Sequence, residues 1–332
     1  MAKLLDNVRS TMKSQDTEGR FELIFTRTPG YLLARLFRAL HIHPIAVTLI
    51  SIVLGCASAF FFVRTDLTAN IIAVALLVTA NWLDCADGQL ARMTGKKTLV
   101  GRVLDGFAGD LWFQFIYVAL ALRLTPTWGI WGWLLGAYAG YWCHVRQANL
   151  ADYYRNIHLY VLLGPTRSEL DRSHLLQRRY DALSWRSPAW FEKLYLYFYI
   201  RYTLRQEHMT PRCQRLLSRL LPPVPSTSPA SVVGGFPADA PLPSALRSDF
   251  LAGSRPLMPA CQALTFDLRI AVLYLSALLN VVWIYFLFEA IVLQFVFFRL
   301  RHRHEHLCDD IYNRYLTPSP AAGTTAAAHT DS

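Results

Sequence analysis

The sequence predicts an all-α polytopic membrane protein, with six transmembrane helices preceded by an N-terminal amphipathic interfacial helix. Three observations carry this reading. Hydrophobic residues make up 53% of the 332-residue chain and charged residues only 17%, where soluble proteins carry about a quarter. Apolar runs of about 20 residues, the length that crosses the hydrocarbon, recur along the chain. Basic residues gather in the segments that would all lie on one side of those runs. Aromatics at 13% agree, because Trp and Tyr anchor at the lipid–water interface.

Residues 1–27 read as a polar, charged arm, in which no cleavable signal peptide is expected. In 28–40, Arg35 and Arg38 sit among Leu32, Leu33, Leu36, Phe37 and Leu40 at helical spacing. That pattern suits a helix lying on anionic headgroups. The first four spans fall at 44–63, 69–92, 101–124 and 128–150. The run 262–299 is too long for one crossing and divides near Asn280 into spans five and six joined by a tight turn.

Between spans four and five lies a long connection, 151–261. Its stretch 153–220 mixes aromatic and basic residues and reads as surface helices. Segment 190–204 is interfacial rather than a further span, because Glu192, Lys193 and Arg201 interrupt it. Residues 221–247 are rich in Pro, Ser and Ala and read as a disordered linker; the end of the tail, 317–332, reads the same way. The organisation is thus an arm with interfacial helix (1–43), spans one to four (44–150), a loop region (151–261), spans five and six (262–299) and a basic tail (300–332). No internal repeat is visible.

The formal net charge of +10 admits nucleic-acid binding until its placement is considered. Lys3, Arg9, Lys13, Arg20, Arg27, Arg35 and Arg38 precede span one, and Arg92, Lys96, Lys97 and Arg102 join spans two and three. The long connection and the tail are also basic. The opposite side shows only Arg64 and, near a span end, Arg123. By the positive-inside rule both termini and the charged loops are cytoplasmic, and no nucleic-acid partner is expected. The six cysteines, Cys56, Cys85, Cys143, Cys213, Cys261 and Cys308, show no metal-site or redox spacing and are expected to be free thiols. His302, His304 and His306 read as part of a basic stretch leaving the membrane. Glu289, an acid inside span six, reads as structurally paired with a polar residue of a neighbouring helix.

The chemistry concentrates at 84–110. Acids in membrane helices are functional candidates by default. Asp84 and Asp87 share a helix face, with small residues Gly88 and Ala91 beside it and Arg92 next. After eight residues come Gly101, Asp105 and Asp110. A short hairpin would set the two acidic faces against each other near the cytoplasmic surface. Divalent cations relieve the repulsion of such carboxylates, and all-oxygen ligation favours Mg²⁺ or Mn²⁺. A pair of such ions suits in-line displacement at phosphorus.

Asp84-x2-Asp87-Gly88-x2-Ala91-Arg92-x8-Gly101-x3-Asp105 resembles the signature of the CDP-alcohol phosphotransferases, D-x2-D-G-x2-A-R-x8-G-x3-D-x3-D. The Pro44–Thr48 spacing is similar to the family's as well, with Ile45 in place of its usual Asn. The resemblance implies that Asp84, Asp87 and Asp105 bind metal and that Gly88, Ala91, Arg92 and Gly101 accommodate the CDP moiety. One position departs: the fourth acid should fall at 109, which is Gly109, and Asp110 arrives one residue late. A π-bulge within 106–109 would restore its direction, making Asp110 the fourth ligand and the general base.

The expected reaction belongs to phospholipid synthesis. A substituted phosphate passes from a CDP-activated donor, CDP-diacylglycerol, to an alcohol such as inositol phosphate or glycerol phosphate, and CMP leaves. Lys96, Arg102, Arg146 and Arg155 are the candidate acceptor-binding residues, and homodimerisation is left open. Two other readings stand beside this one: a catalytically impaired member or scaffold, because of Gly109, and a cation transporter. A polyprenyltransferase also uses membrane aspartates, but it leaves Gly-x2-Ala-Arg unexplained.

Overall fold

Capping residues and prolines start the helices that the apolar runs predict. The computed structural model describes residues 8, 14, 16–19, 22–96, 98–164, 168, 170–187, 189–221 and 242–317. Among them every regular element is helical. Helix α1 (Thr28–Ala39) follows a π-helical turn, Leu23–Arg27. Leu32, Leu36 and Leu40 are exposed, while Leu33 and Phe37 pack inward, so α1 has the two-faced character expected of an interfacial helix.

Helix α2 (Pro44–Phe62) opens on Pro44, with His43 accepting from Ile45 N at 3.3 Å. Helix α3 (Leu67–Thr94) is capped by Asp66, whose carboxylate accepts from Ala69 N at 2.8 Å. It ends at Gly95, φ +68°, a left-handed residue that glycine supplies without steric penalty. Thr98 then caps α4 (Leu99–Trp128). Helix α5 (Ile130–Ala137) runs through a π-helical stretch, Tyr138–His144, into α6 (Val145–Leu163). The connection holds α7 (Ser173–Ala182), α8 (Trp190–Met209) and α9 (Pro211–Leu220). Then come α10 (Ser244–Ser254), α11 (Met258–Ala263) and α12 (Phe266–Leu278). After a turn at Asn280, φ +58°, α13 (Val282–Leu287), a third π-helical stretch (Phe288–Leu293) and α14 (Gln294–Tyr315) form one rod.

Among the described residues, five segments are long and apolar enough to cross a membrane: Pro44–Phe62, Leu67–Thr94, Leu104–Trp128, Ser244–Leu278 and Val282–Tyr315. The chain is an integral membrane protein. The sixth expected span, 128–150, is helical but is not among the five. Its apolar part gives way at His144 to a polar run, and the helix continues to Leu163. The split expected near Asn280 is present.

One expectation on the connection changes. The linker expected at 221–247 lies for 222–241 outside the described residues, but its end is part of α10. There Leu246, Phe250 and Leu251 are buried, a helical spacing that composition alone hid. The tail expected from 300 continues α14 as far as Tyr315, and 318–332 lie outside the described residues.

Packing divides into layers. Within the membrane, α2, α3, α4 and α12–α13 share a core around Phe62, Leu77, Trp112, Leu120, Tyr285 and Phe286. Gly55 permits the closest approach, since a Cβ there would lie 2.3 Å from the Trp112 ring. At the end opposite the acids, Arg123 bonds Asn70 and Asn280 side chains, each at 2.7 Å, and the Phe62 carbonyl. A second core joins α6, α9, α10, α11 and α14.

Candidate active site

Asp84, Asp87 and Asp105 meet where α3 ends and α4 begins. One carboxylate oxygen from each lies within 4.8 Å of the other two. The i, i+3 spacing puts Asp84 and Asp87 on one face. The short reversal through Gly95 and Thr98 returns the chain so that the second turn of α4 carries Asp105 to meet them. Asp87 is 3% exposed, Asp84 is half-buried and Asp105 is exposed. The Thr48 hydroxyl on α2 donates to Asp87 Oδ2 and also reaches the Pro44 carbonyl at 3.2 Å. Asp84 Oδ1 is buried with no hydrogen-bond partner. Three converging carboxylates, one with an orphaned buried oxygen, suit a hard divalent cation.

Arg92 lies one turn beyond Gly88, and a Cβ at Gly88 would stand 3.5 Å from its Nη1. Arg92 and Asp105 interact electrostatically. Ala91 is half-buried beside them. At Gly101 a Cβ would come within 3.0 Å of the capping Thr98 hydroxyl.

The lead segment braces α3 from outside. Trp82 Nε1 donates to the Phe25 carbonyl at 2.8 Å, Gln89 Nε2 to the Arg27 carbonyl at 3.2 Å, and Asn81 Nδ2 to Thr26 Oγ1 at 3.4 Å. Gly30 lies so close that a Cβ would sit 2.9 Å from Cys85 Sγ. Arg27 pairs with Glu18 at 3.2 Å and Glu22 at 3.0 Å. Burial opposes its charge, but the neighbouring Cys85, Glu18 and Glu22 outweigh burial and hold its pKa above the ordinary value.

The bulge expected before Asp110 is absent: α4 is α-helical throughout 99–128, and the π-helical stretches lie elsewhere. Five residues of regular helix set Asp110 about 7.5 Å along the axis from Asp105 and about 140° around it. Asp110 is accordingly not part of the three-carboxylate group. It interacts instead with Asp152 and Arg205, and with Tyr202. Asp152 pairs with Arg155 at 2.9 Å and accepts from the Tyr202 hydroxyl at 3.2 Å.

Of the other acceptor candidates, Lys96 is exposed at the hairpin tip and Arg102 lies in the first turn of α4. Arg146 stacks on Trp142 at 4.8 Å. Lys97 lies outside the described residues. Sequence reasoning assigned no role to Thr48, although its spacing from Pro44 was visible. Arg205 and Tyr202 gave no signal, because only the fold brings α8 to α4 and α6.

Residues 41–158 match the family model for CDP-alcohol phosphatidyltransferases. This stretch is similar to a CDP-alcohol phosphatidyltransferase domain. It covers about a third of the chain and contains Thr48, the three converging aspartates, Arg92, Asp110, Asp152 and Arg155. No curated protein and no solved structure matches the chain. The likeness supports phosphotransfer of the phospholipid type from a CDP-alcohol.

Proposed function

We propose that the protein transfers the phosphatidyl group of CDP-diacylglycerol to the hydroxyl of a phosphorylated polyol, such as inositol phosphate or glycerol phosphate, releasing CMP. The observation that carries the reading is the convergence of Asp84, Asp87 and Asp105 inside the transferase domain. Mg²⁺ or Mn²⁺ ions held by these carboxylates would neutralise the diphosphate oxygens and favour CMP as leaving group. Thr48 fixes the Asp87 carboxylate through its hydroxyl. Arg92 offers a permanent charge beside Gly88, where no side chain obstructs a diphosphate. Gly101 and Ala91 keep the facing walls small.

On the acceptor side, Asp110 takes the proton as the hydroxyl oxygen bonds to the β-phosphorus. The bond from that phosphorus to the bridging oxygen breaks, and the electron pair leaves with CMP. Arg155 and Arg205 supply the charge that a phosphorylated acceptor requires. The lipid donor is supported by the membrane spans around the site, and the cytoplasmic location by the placement of basic residues.

The test is CMP release by the purified full chain from CDP-diacylglycerol with Mg²⁺ and each acceptor in turn. Release should depend on the cation and be abolished by Asp87→Asn or Asp105→Asn. Asp110→Asn should slow turnover by about 10²–10⁴-fold, as expected for loss of a general base. A silent Asp110→Asn would move the base elsewhere. No release by the wild type with any CDP-alcohol would favour the impaired-member reading that Gly109 raises.

A further inference from the structure

Outside the transferase domain, a second group of metal-type donors is buried in the core between α9 and α14. Cys213 on α9 meets His304 and Cys308 on α14, and one donor atom from each lies within 4.8 Å of the others. All three residues are 0% exposed. The two sulfurs are 3.1 Å apart as free thiols, and Cys308 Sγ is 3.5 Å from His304 Nδ1. The Tyr154 ring stacks on the His304 ring at 3.7 Å. Two polar atoms at this site, His304 Nε2 and the Tyr154 hydroxyl, are buried without hydrogen-bond partners, a state that native interiors seldom leave unexplained. Glu305 is occupied elsewhere: its carboxylate accepts from the backbone N–H groups of Arg212 and Cys213 and caps α9.

We propose that Cys213, His304 and Cys308 bind a Zn²⁺ ion that pins α9 to α14. Two thiolates and an imidazole are a soft, borderline donor set that selects zinc over Mg²⁺. Two thiolates also balance the charge of Zn²⁺, so the buried complex is neutral; binding releases both thiol protons to solvent. The i, i+4 spacing puts His304 and Cys308 on one face of α14. With Zn–S bonds of about 2.3 Å the sulfurs of a tetrahedral site stand about 3.8 Å apart, so the thiols need open by only about 0.7 Å. A water near the Tyr154 hydroxyl takes the fourth position. The three carboxylates near Thr48 offer oxygen alone and do not compete for this ion.

The experiment is metal analysis of the full chain, purified in detergent from zinc-supplemented medium without chelator. About one zinc per chain is expected, falling to background in Cys213→Ser and in Cys308→Ser and unchanged in Asp87→Asn. Replacement by Co²⁺ in the wild type should give the intense visible bands of tetrahedral thiolate ligation, a readout that needs no variant to fold. Absence of zinc, or mass spectrometry of the unreduced protein showing Cys213 linked to Cys308, would overturn the proposal. Zinc retained by both serine variants would overturn it as well.

Discussion

Thr48 shows how a single hydroxyl can govern a carboxylate it does not neighbour in sequence. Thirty-nine positions separate it from Asp87, and the contact exists because α2 packs on α3 with Thr48 and Asp87 at the same level. A hydrogen bond to a charged group contributes about 1.5–3 kcal/mol. Thr48→Val keeps the shape and removes the donor, so CMP release should fall by roughly tenfold or more, since 1.4 kcal/mol is a factor of ten. Thermal stability should change much less than activity; equal loss of both would mean that Thr48 serves packing alone. The three aspartates were legible because their spacing is a local property of two consecutive helices. The direction of Asp110 was not: a one-residue offset can be absorbed by a bulge or left to rotate the side chain, and the sequence around Gly106 and Gly109 permits both. Cys213 and Cys308 were unreadable as a pair, because nothing local links positions 95 residues apart.

Helix boundaries were legible where capping chemistry marks them. The turn at Asn280 was read in this way, while the caps Asp66 and Thr98 start their helices at Leu67 and Leu99, just ahead of the apolar runs that mark them. Boundaries failed where an amphipathic pattern hid within biased composition, as in α10, or where a helix outran its apolar part, as in α6 and α14. Close helix contacts were also hidden, since a lone glycine in an apolar run does not announce what faces it. Gly55 is the sharpest case. Gly55→Ala would drive a methyl into the Trp112 ring, which is 1% exposed and has no room to retreat. Overpacking of this kind costs about 1–3 kcal/mol. The variant should unfold at lower temperature in detergent, and Gly55→Ala combined with Trp112→Leu should recover part of the loss. Strictly additive effects would show that the two side chains do not meet.

Across the molecule, two polar clasps tie the spans together. Arg123 joins the α2–α3 and α12–α13 turns at one end. Deeper in the bundle, Arg269 on α12 pairs with Glu289 in the π-helical stretch before α14, and also meets His144 at 2.6 Å and Gln147 at 2.8 Å. The expectation that Glu289 is structurally paired thus finds its partner in Arg269, on the adjoining span. Both are almost wholly buried, at 0% and 1% exposed. Glu289→Gln would strand a buried guanidinium, and losing one member of such a pair costs about 3–5 kcal/mol. Unfolding in detergent should show a large loss, and adding Arg269→Met should restore much of it; no restoration would mean that the pair is not the source. At the other end, the segment ahead of α1 is fastened to Asn81, Trp82 and Gln89, which bracket the two aspartates of α3. Lying at the headgroup level that its exposed leucine face suits, α1 would act as a depth gauge for the carboxylates. Their height would then be referenced to the bilayer surface rather than to its midplane, so thickening the hydrocarbon would tilt the spans before it drowned the site.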